Sequence, residues 1–483
     1  MARLSLLDMA FLQMESPESP AHVGGLQIFE PPKDYEGDFV QDLVEELKTG
    51  GPVVPPFNQR LKMPSSIFGG FPEWEQDPEF DLDYHVRFSA LPRPGTMDQL
   101  FTLIERIHAR QLDRTRPLWE AYLIEGLDDG RFVMYTKMHH SVIDGIAGMR
   151  LIAQTLSTTP ETGVAKAPWQ IDTRKKSDPD VAPPPAVDII GNIVSGVRKH
   201  MKTLPEIAQN FVDLGRQMAG VEDTSLAVPF GAPQTQFNHP ITAHRRFAVD
   251  SLDMAEVKAL GKQMGGTIND VVLAVCAGAL RRYFVEHQAL PDRPLNTVVP
   301  VSFRPQDGSS GGNQISAIMV DLATHIADPV QRFYAIRKSA NSAKAQVQGM
   351  SKEGKQNYAV LMNGLNVALD PLVRTGAVAP ASNLVISNVP GPPVTLYLNG
   401  ARLTAMYPVS VLMHGMGLNI TITSYEGRLD FGLIACRKAV PDLRYMATLV
   451  SSEFKALQEA ADRADLSAEM SEDNDVADKP AAE

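Results

Sequence analysis

Hydrophobic and polar side chains alternate along residues 130–138, GRFVMYTKM, and this period of two predicts a β-strand. Upstream, residues 96–113 carry apolar side chains at three- and four-residue steps, which is the spacing of an amphipathic helix. Downstream, residues 148–156, GMRLIAQTL, show the same helical spacing. Strands and helices therefore follow one another closely in the first part of the chain.

The second half of the chain repeats this mixture. Residues 267–287, TINDVVLAVCAGALRRYFVEH, have the length and composition of a helix. Runs rich in β-branched residues predict strands at 295–303, 382–389, 417–425 and 428–437. Since both halves intersperse helices with strands, the pattern predicts two domains of the α/β or α+β class.

A chain of 483 residues is too long for one ordinary core and suits two domains with connections. Three consecutive prolines at 183–185 mark a linker, because they favour extended geometry. The tail holds eight acidic against two basic residues and few large apolar ones, which predicts disorder. The predicted segments are a first domain at 1–175, a linker and connector helix at 176–235, a second domain at 236–461 and a disordered tail at 462–483.

Residues 189–218 within the connector form an amphipathic pattern, whole or broken near Pro205. One interpretation is a connector helix packed on a core. The other is a surface that docks on lipid, since Arg198, Lys199 and Lys202 add positive charge near the apolar stripe.

Composition and charge exclude several classes of protein. The apolar fraction of 44% and the charged fraction of 21% are those of a globular protein, and no run approaches the length of a membrane span. The net charge of −12 argues against a nucleic-acid binder, which needs a basic face. The start lacks the features of a signal peptide, and Cys276 and Cys436 suit a reducing compartment, so we expect a cytoplasmic protein.

Two adjacent histidines, His139 and His140, end the strand predicted at 130–138. Successive side chains of a strand point to opposite faces, so the two rings should not share one pocket. Asp144 stands where a helix N-cap would be, and Gly145 allows a tight entry into the next helix. A lone strand-end histidine is usually a structural residue, but a neutral imidazole can also take a proton from a hydroxyl group.

The spacing His-His-x-x-x-Asp-Gly resembles the motif of the coenzyme A-dependent acyltransferase superfamily, which includes chloramphenicol acetyltransferase and condensation domains. Further blocks follow in order, among them LSLLDMAFLQME, RPLWEAYLIEGL, INDVVLAVCAGALRRY, VPVSFRPQD and SNLVISNVPGP. Together they resemble the bacterial wax ester synthase/acyl-CoA:diacylglycerol acyltransferase family over roughly residues 3–460.

The resemblance implies two domains of the chloramphenicol acetyltransferase type with a catalytic tunnel between them. It implies transfer of a long-chain fatty acyl group from acyl-CoA to a long-chain fatty alcohol or to diacylglycerol. In the family the second histidine is the base, which falls here on His140. His139 then supports the motif. Asp144 could orient His140, but in the superfamily this aspartate usually turns away and pairs with an arginine, which would make it structural support for the loop, with Arg304 as the candidate partner.

Other candidate site residues carry alternatives. Asn269 could donate to the oxyanion of the tetrahedral intermediate, with Asp270 beside it, or Thr267 and Asp270 could form a helix capping box. Pro117, Leu118 and Trp119 could shape the wall of the substrate tunnel or belong to an ordinary core. Ser387 and Asn388 enter a Pro- and Gly-rich loop that could shape the tunnel, hold the domains together or simply turn the chain.

The sequence contains no Walker loop, metal-ligand cluster or dinucleotide fingerprint, so we expect no permanently bound cofactor beyond acyl-CoA as donor. The implied acceptors partition into lipid, which predicts peripheral association with the inner membrane face or with lipid inclusions. Two rival functions remain: an acyltransferase of the same fold with another acceptor, and a non-catalytic protein that coats lipid inclusions. The sequence leaves the oligomeric state open.

Overall fold

The computed structural model describes residues 4, 6–63, 72–143, 145–161, 166–172, 231–302, 315–349, 375 and 381–477. Asp144, Arg304 and the segment 189–218 lie outside these residues. The described strands are β1 (His22–Glu30), β2 (Gln59–Lys62), β3 (Glu73–Gln76), β4 (Val86–Ala90), β5 (Trp119–Glu125), β6 (Phe132–His139), β7 (Arg245–Asp253), β8 (Asn296–Ser302), β9 (Ile315–Asp321), β10 (Leu384–Val389), β11 (Tyr397–Leu398), β12 (Ala401–Val409), β13 (Leu418–Tyr425) and β14 (Arg428–Cys436). The described α-helices are α1 (Leu6–Met14), α2 (Phe39–Thr49), α3 (Leu82–His85), α4 (Met97–His108), α5 (Gly145–Thr155), α6 (Met254–Gln263), α7 (Ile268–Glu286), α8 (Pro329–Gly349) and α9 (Leu443–Ala477).

Two six-stranded sheets organise the molecule, as expected for two domains. The first has the strand order β11-β12-β1-β6-β5-β4 and is antiparallel except between β4 and β5. Its strands β11 and β12 come from residues 397–409, late in the chain. The boundary predicted at residue 236 therefore does not separate the two sheets, because the second half of the chain supplies two strands to the first.

The second sheet has the order β7-β14-β13-β10-β8-β9, in which β10 runs parallel to both of its neighbours. Helices α6 to α9 accompany this sheet along the chain, and α7 is buried continuously from Asp270 to Leu280. A helix that is apolar on all sides belongs in a core, which explains the weakly amphipathic sequence of α7.

Local signals in the sequence set the ends of these elements. Helix α4 begins at a capping box in which Thr96 and Gln99 satisfy each other's backbone amides. Its apolar positions, including Leu100 and Ile104, face the core. The strands predicted at 130–138, 295–303, 382–389, 417–425 and 428–437 are confirmed as β6, β8, β10, β13 and β14.

The last helix differs from the sequence-based expectation. Helix α9 continues from Leu443 to Ala477 and so enters the segment 462–483 that we predicted to be disordered. Extending an existing helix costs little, because each added residue gains a hydrogen bond without a new nucleus. Alanine, glutamate and methionine in this segment also favour helix.

The two sheets meet where β12 crosses β14. The Met406 amide of β12 donates to Asp430 Oδ2 of β14 over 3.1 Å. A Cβ atom added to Gly432 would lie 1.9 Å from the Pro408 carbonyl oxygen, so only glycine fits at this crossing. A second contact joins the same two domains: Glu105 of α4 accepts from the Phe247 amide of β7 over 3.0 Å. The first domain is thus held directly against the second.

In the part of the chain that the structure describes, no single helix has the length and apolar character that crossing a membrane demands. Helices α6 and α7 taken together, bent by 98°, meet that test by length and composition.

Candidate active site

The histidine pair lies at the end of β6, where two neighbouring segments hold its backbone. The His139 amide donates to the Leu118 carbonyl over 3.0 Å, and the His140 amide donates to the Ala21 carbonyl over 2.9 Å. The chain then turns, with the Val142 amide donating back to the His139 carbonyl over 2.9 Å. Helix α5 starts at Gly145, so the predicted strand, turn and helix are confirmed.

His139 is fully buried, with 0% of its surface exposed. Its Nδ1 lies 3.1 Å from the Ser141 amide and 2.7 Å from the Ser141 hydroxyl. A backbone N–H can only donate, so Nδ1 carries the lone pair and the ring proton sits on Nε2. Burial, with smaller contributions from Arg114 and His140, lowers the pKa of His139 to about 3. The ring therefore stays neutral at physiological pH.

His140 occupies a different environment, as the alternation of strand faces predicts. Its side chain is partly exposed, and its ring stacks on Phe11 of α1 with 4.0 Å between centroids and 14° between planes. Of the two adjacent rings, His140 is thus the more exposed. This separation is the geometric basis for assigning chemistry to one histidine and support to the other.

Helix α1 brings a second residue to the pair. Glu15, just past its end, has a side chain that is 1% exposed and forms an ion pair with Arg114 over 2.7 Å. Glu15 Oε1 lies 3.8 Å from His139 Nε2. Sequence reasoning gave no role to Phe11, Glu15 or Arg114. The four-residue spacing of Phe11 and Glu15 puts them on one helix face, but nothing local indicates that this face meets the histidines.

A buried polar network supports β6 from the other side. His108 Nδ1 lies 2.7 Å from the Tyr135 hydroxyl, and His108 Nε2 lies 3.1 Å from the Ser410 carbonyl. His22, which pairs with His139 across β1 and β6, lies 2.8 Å from the His108 carbonyl through Nε2. Burial and the positive charge of Lys137 lower the pKa of His108 to about 3, so this ring also remains neutral.

Of the two roles considered for Asn269 and Asp270, the structure shows helix capping by Asp270. Thr267 and Asp270 form a capping box at the start of α7, with Asp270 Oδ2 accepting from the Thr267 amide and hydroxyl, both over 2.8 Å. The carboxylate of Asp270 thus serves the helix end. Asn269 lies beside it in the first turn of α7, and its role as an oxyanion donor stays a prediction.

Trp119 is a core residue, which was the plain alternative for this position. Its indole Nε1 donates to the Phe57 carbonyl over 2.7 Å, and its ring stacks on Trp169 and His85. Leu118 is different, because it packs with Leu12 of α1 in a small apolar group that Val142 of the motif turn also touches. Leu118 therefore lies beside the histidine pair, whereas Trp119 faces the core behind it; a role for Pro117 stays a prediction.

Ser387 and Asn388 lie in β10, whose end packs against α5 of the first domain. A Cβ atom added to Gly145 would lie 3.4 Å from Val389 Cγ2. One added to Gly391 would lie 2.1 Å from the Ser424 carbonyl oxygen and 3.1 Å from Met149 Cε. The loop after β10 is thus pressed between β13 and the helix that follows the motif, which supports its predicted role in holding the domains together.

Both cysteines are buried and free. Cys276 lies inside α7, and burial raises the pKa of its thiol to about 12. Cys436 ends β14, where burial opposes ionisation of its thiol but hydrogen bonds from Thr242 give a net lowering of its pKa. The Sγ atom of Cys436 accepts from the Thr242 amide over 3.4 Å and lies 3.6 Å from the Thr242 hydroxyl, just before β7.

Comparison with known families agrees with the motif and the fold. A family model described as the wax ester synthase/diacylglycerol acyltransferase catalytic domain matches residues 4–272. A second model, described as the C-terminal domain of the same family, matches residues 311–458. The chain belongs to the wax ester synthase/diacylglycerol acyltransferase family.

Individual relatives of this family match along nearly the whole chain. A protein named as a probable diacylglycerol O-acyltransferase of Mycobacterium tuberculosis is 41% identical over 462 residues, covering 94% of this chain and 98% of its own. The O-acyltransferase WSD of Acinetobacter baylyi is 39% identical over 467 residues, covering 95% and 97%.

Solved structures of related fold confirm the architecture. The wax ester synthase/diacylglycerol acyltransferase of Marinobacter aquaeolei superposes with a TM-score of 0.75 at 34% identity, covering 95% of this chain and all of that one. The first condensation domain of the CDA synthetase has a TM-score of 0.53 at 16% identity over 95% of this chain, which shows the shared fold alone. Two domains of the chloramphenicol acetyltransferase type are thus confirmed for this member of the family.

Proposed function

We propose that this protein transfers a long-chain fatty acyl group from acyl-CoA to the hydroxyl of a long-chain fatty alcohol or of diacylglycerol, with His140 as general base. The observation that carries the assignment of the base is the contrast within the pair. His139 is buried, its Nδ1 is occupied by Ser141, and its pKa is about 3, so taking a proton there is strongly unfavourable. His140 is the partly exposed ring of the family motif.

The reaction follows from the chemistry of a neutral imidazole. His140 accepts the proton of the acceptor hydroxyl while the oxygen attacks the thioester carbonyl, so a C–O bond forms and a tetrahedral intermediate results. The C–S bond then breaks, and the imidazolium returns its proton to the thiolate of coenzyme A. General-base assistance of this kind contributes roughly 10²- to 10⁴-fold in rate.

Transfer is direct, without an acyl-enzyme. A covalent route would need an activated nucleophile within hydrogen-bond reach of the base. Cys276 is enclosed in α7, and the thiol of Cys436 accepts from the Thr242 amide. Among the described residues, neither thiol is hydrogen-bonded to a histidine, as a covalent route would require, which supports attack by the acceptor hydroxyl itself.

Three further parts of the proposal concern Asp144 with Arg304, Asn269, and the segment 189–218. Asp144 and Arg304 would form an ion pair that braces the motif loop. Asn269 would donate to the oxyanion. The amphipathic segment 189–218 would either pack as a connector or contribute to reversible binding at a membrane or lipid inclusion. The acceptors dissolve poorly in water, which supports a protein that binds a membrane or lipid inclusion from the cytoplasm.

An acceptor panel tests the proposed function. Purified protein with palmitoyl-CoA should release free thiol when hexadecanol or dipalmitoylglycerol is added, and the ester should be detectable by mass spectrometry. A long-chain amine at the same concentration should give little product, which separates this function from that of an acyltransferase with another kind of acceptor. Absence of thiol release with every acceptor, from folded protein that binds lipid droplets, would instead indicate a non-catalytic coat protein.

A further inference from the structure

We propose that Glu15 is a positioning residue for the histidine pair, a role that rests on the proposed function of His140 as base. Its carboxylate fixes the backbone of His140 and favours the tautomer of His139 that the Ser141 amide sets. Glu15 itself touches neither acceptor nor donor in this role. It acts through the two histidines, from the end of the N-terminal helix.

The carboxylate of Glu15 is held in place from one side by Arg114. Two guanidinium nitrogens of Arg114 reach Glu15 Oε2, Nη2 over 2.7 Å and Nε over 2.8 Å. The same Nη2 also donates to the Leu12 carbonyl over 2.6 Å, which closes the last turn of α1. The Glu15 side chain is 1% exposed, so its carboxylate is both buried and paired with Arg114. These contacts hold the carboxylate in one orientation.

The other carboxylate oxygen is connected to the backbone of His140 through one residue. Glu15 Oε1 accepts from the Ala21 amide over 3.1 Å. The carbonyl of Ala21 accepts in turn from the His140 amide over 2.9 Å. Glu15 therefore fixes the short segment that precedes β1, and this segment fixes the residue that carries the proposed base.

The same oxygen also faces the ring of His139. The distance of 3.8 Å from Glu15 Oε1 to His139 Nε2 is too long for a hydrogen bond, and among the described residues Nε2 has no hydrogen-bond partner. A neutral ring with its proton on Nε2 is still favoured here, because an Nε2 lone pair would point at the negative charge. This is the tautomer that leaves Nδ1 free to accept from Ser141 and so fixes the turn after His140.

Phe11 completes the arrangement one helical turn earlier. Residues four apart lie on the same face of a helix, so Phe11 and Glu15 approach the pair together. Phe11 covers the ring of His140 while Glu15 faces the ring of His139. One face of α1 thereby positions both histidines.

The test compares Glu15→Gln with a matched control. The glutamine keeps the size of the side chain and one acceptor oxygen but removes the charge. Glu105→Gln is the control, because Glu105 is likewise buried, paired with an arginine (Arg246, 3.0 Å) and bonded to a backbone amide, but lies at the contact between the sheets. Both variants are assayed with palmitoyl-CoA and hexadecanol at a temperature at which circular dichroism shows them folded.

We expect Glu15→Gln to lower kcat by about tenfold, part of the roughly 10²- to 10⁴-fold that general-base assistance contributes, while KM for palmitoyl-CoA stays unchanged. Glu105→Gln should lose thermal stability but retain kcat. A His140→Ala variant is measured in parallel. If it is inactive and Glu15→Gln has the kcat of the wild type, the role of Glu15 is wrong and the proposed function stands. If His140→Ala is active, the proposed function fails and the role of Glu15 fails with it.

A spectroscopic readout separates positioning from general destabilisation. Glu15 Oε1 accepts from the Ala21 amide, and the Ala21 carbonyl accepts from the His140 amide. In ¹⁵N-labelled protein, hydrogen exchange at the Ala21 and His140 amides should therefore be faster in Glu15→Gln than in the wild type, whereas the amides of β13 should exchange at the wild-type rate. Unchanged exchange at both amides in the variant would overturn the proposal. If Glu15→Gln does not fold, Arg114→Lys is measured instead, because it weakens the ion pair that holds the Glu15 carboxylate. This variant should lower kcat in the same way, and a kcat equal to that of the wild type would also overturn the proposal.

Discussion

The ring of Phe11 stacks on the ring of His140 at 4.0 Å between centroids, although 129 positions of sequence separate the two residues. The contact covers one face of the imidazole with apolar surface and limits the rotation of the ring about its Cβ. A base whose nitrogen must contact one hydroxyl proton benefits from such restriction, because the entropy cost of orienting the ring is met during folding and not during the reaction.

Phe11→Ala should therefore lower turnover, because the imidazole of His140 gains alternative rotamers. We expect a loss of about tenfold in kcat, part of the roughly 10²- to 10⁴-fold that general-base assistance contributes. Gln13→Ala is the matched control, since Gln13 is on the same helix but exposed to solvent. Steady-state kinetics with hexadecanol measure both, and equal kcat values for the two variants would show that the stacked ring does not matter.

Two adjacent glycines of β1 should respond very differently to substitution by alanine. A Cβ atom on Gly24 would lie 2.7 Å from the Tyr135 hydroxyl oxygen and 2.8 Å from Tyr135 Cε2. Tyr135 cannot withdraw easily, because it is buried and bonded to His108. Overpacking of this kind costs about 1–3 kcal/mol, and we expect Gly24→Ala to lose that much unfolding free energy.

Gly25→Ala is the control for this prediction. The nearest atom to a Cβ at Gly25 is Thr136 Oγ1 at 3.6 Å, which is ordinary van der Waals contact. Its unfolding free energy should stay close to that of the wild type. Urea unfolding of the two variants measures the difference, and a Gly24→Ala protein as stable as Gly25→Ala would contradict the packing of Tyr135 against β1.

The stability of the fold should fall as the pH is lowered from 7 to 5. His108 and His139 are buried with pKa values lowered to about 3, whereas an unfolded histidine has a pKa of about 6.5. Below pH 6.5 the unfolded chain therefore binds protons that the folded protein does not bind. The free energy of unfolding falls progressively until the pH reaches the pKa of these histidines in the folded state, about 3. For each such histidine the loss between pH 7 and 5 is about 2 kcal/mol.

His108→Gln isolates one of these contributions. Glutamine can accept from Tyr135 and donate to the Ser410 carbonyl as His108 does, but it does not titrate. The variant should lose about 2 kcal/mol less than the wild type between pH 7 and 5, as measured by urea unfolding at each pH. An identical loss in both proteins would show that His108 takes up a proton in the folded state.

Much of this fold could be predicted from the sequence because its signals are local. The alternation in 130–138 predicts β6, and Thr96 with Gln99 marks the start of α4. The Thr267–Asp270 capping box follows from a three-residue spacing, which is why it could be named as an alternative. The alternation of strand faces likewise assigns His139 and His140 to different environments, because it depends only on their being neighbours in one strand.

The rest depends on contacts between distant parts of the chain, which no local pattern encodes. The stretch 397–409 reads like any other pair of strands, and its place in the first sheet is decided by the neighbours it finds there. Glu15 meets Arg114 and the histidine pair only because α1 folds back over β6. In the sequence, a tryptophan at position 119 is compatible with a tunnel wall and with an ordinary core. Only its burial in the folded protein distinguishes these two roles.

The turnover of His140→Ala tests the central claim most directly. Release of coenzyme A thiol from palmitoyl-CoA is measured with hexadecanol as acceptor, next to thermal melting of the same preparation. Loss of the base should reduce kcat by about 10²- to 10⁴-fold while the melting temperature stays that of the wild type. A folded His140→Ala protein that turns over near the rate of the wild type would contradict the assignment of His140 as the base.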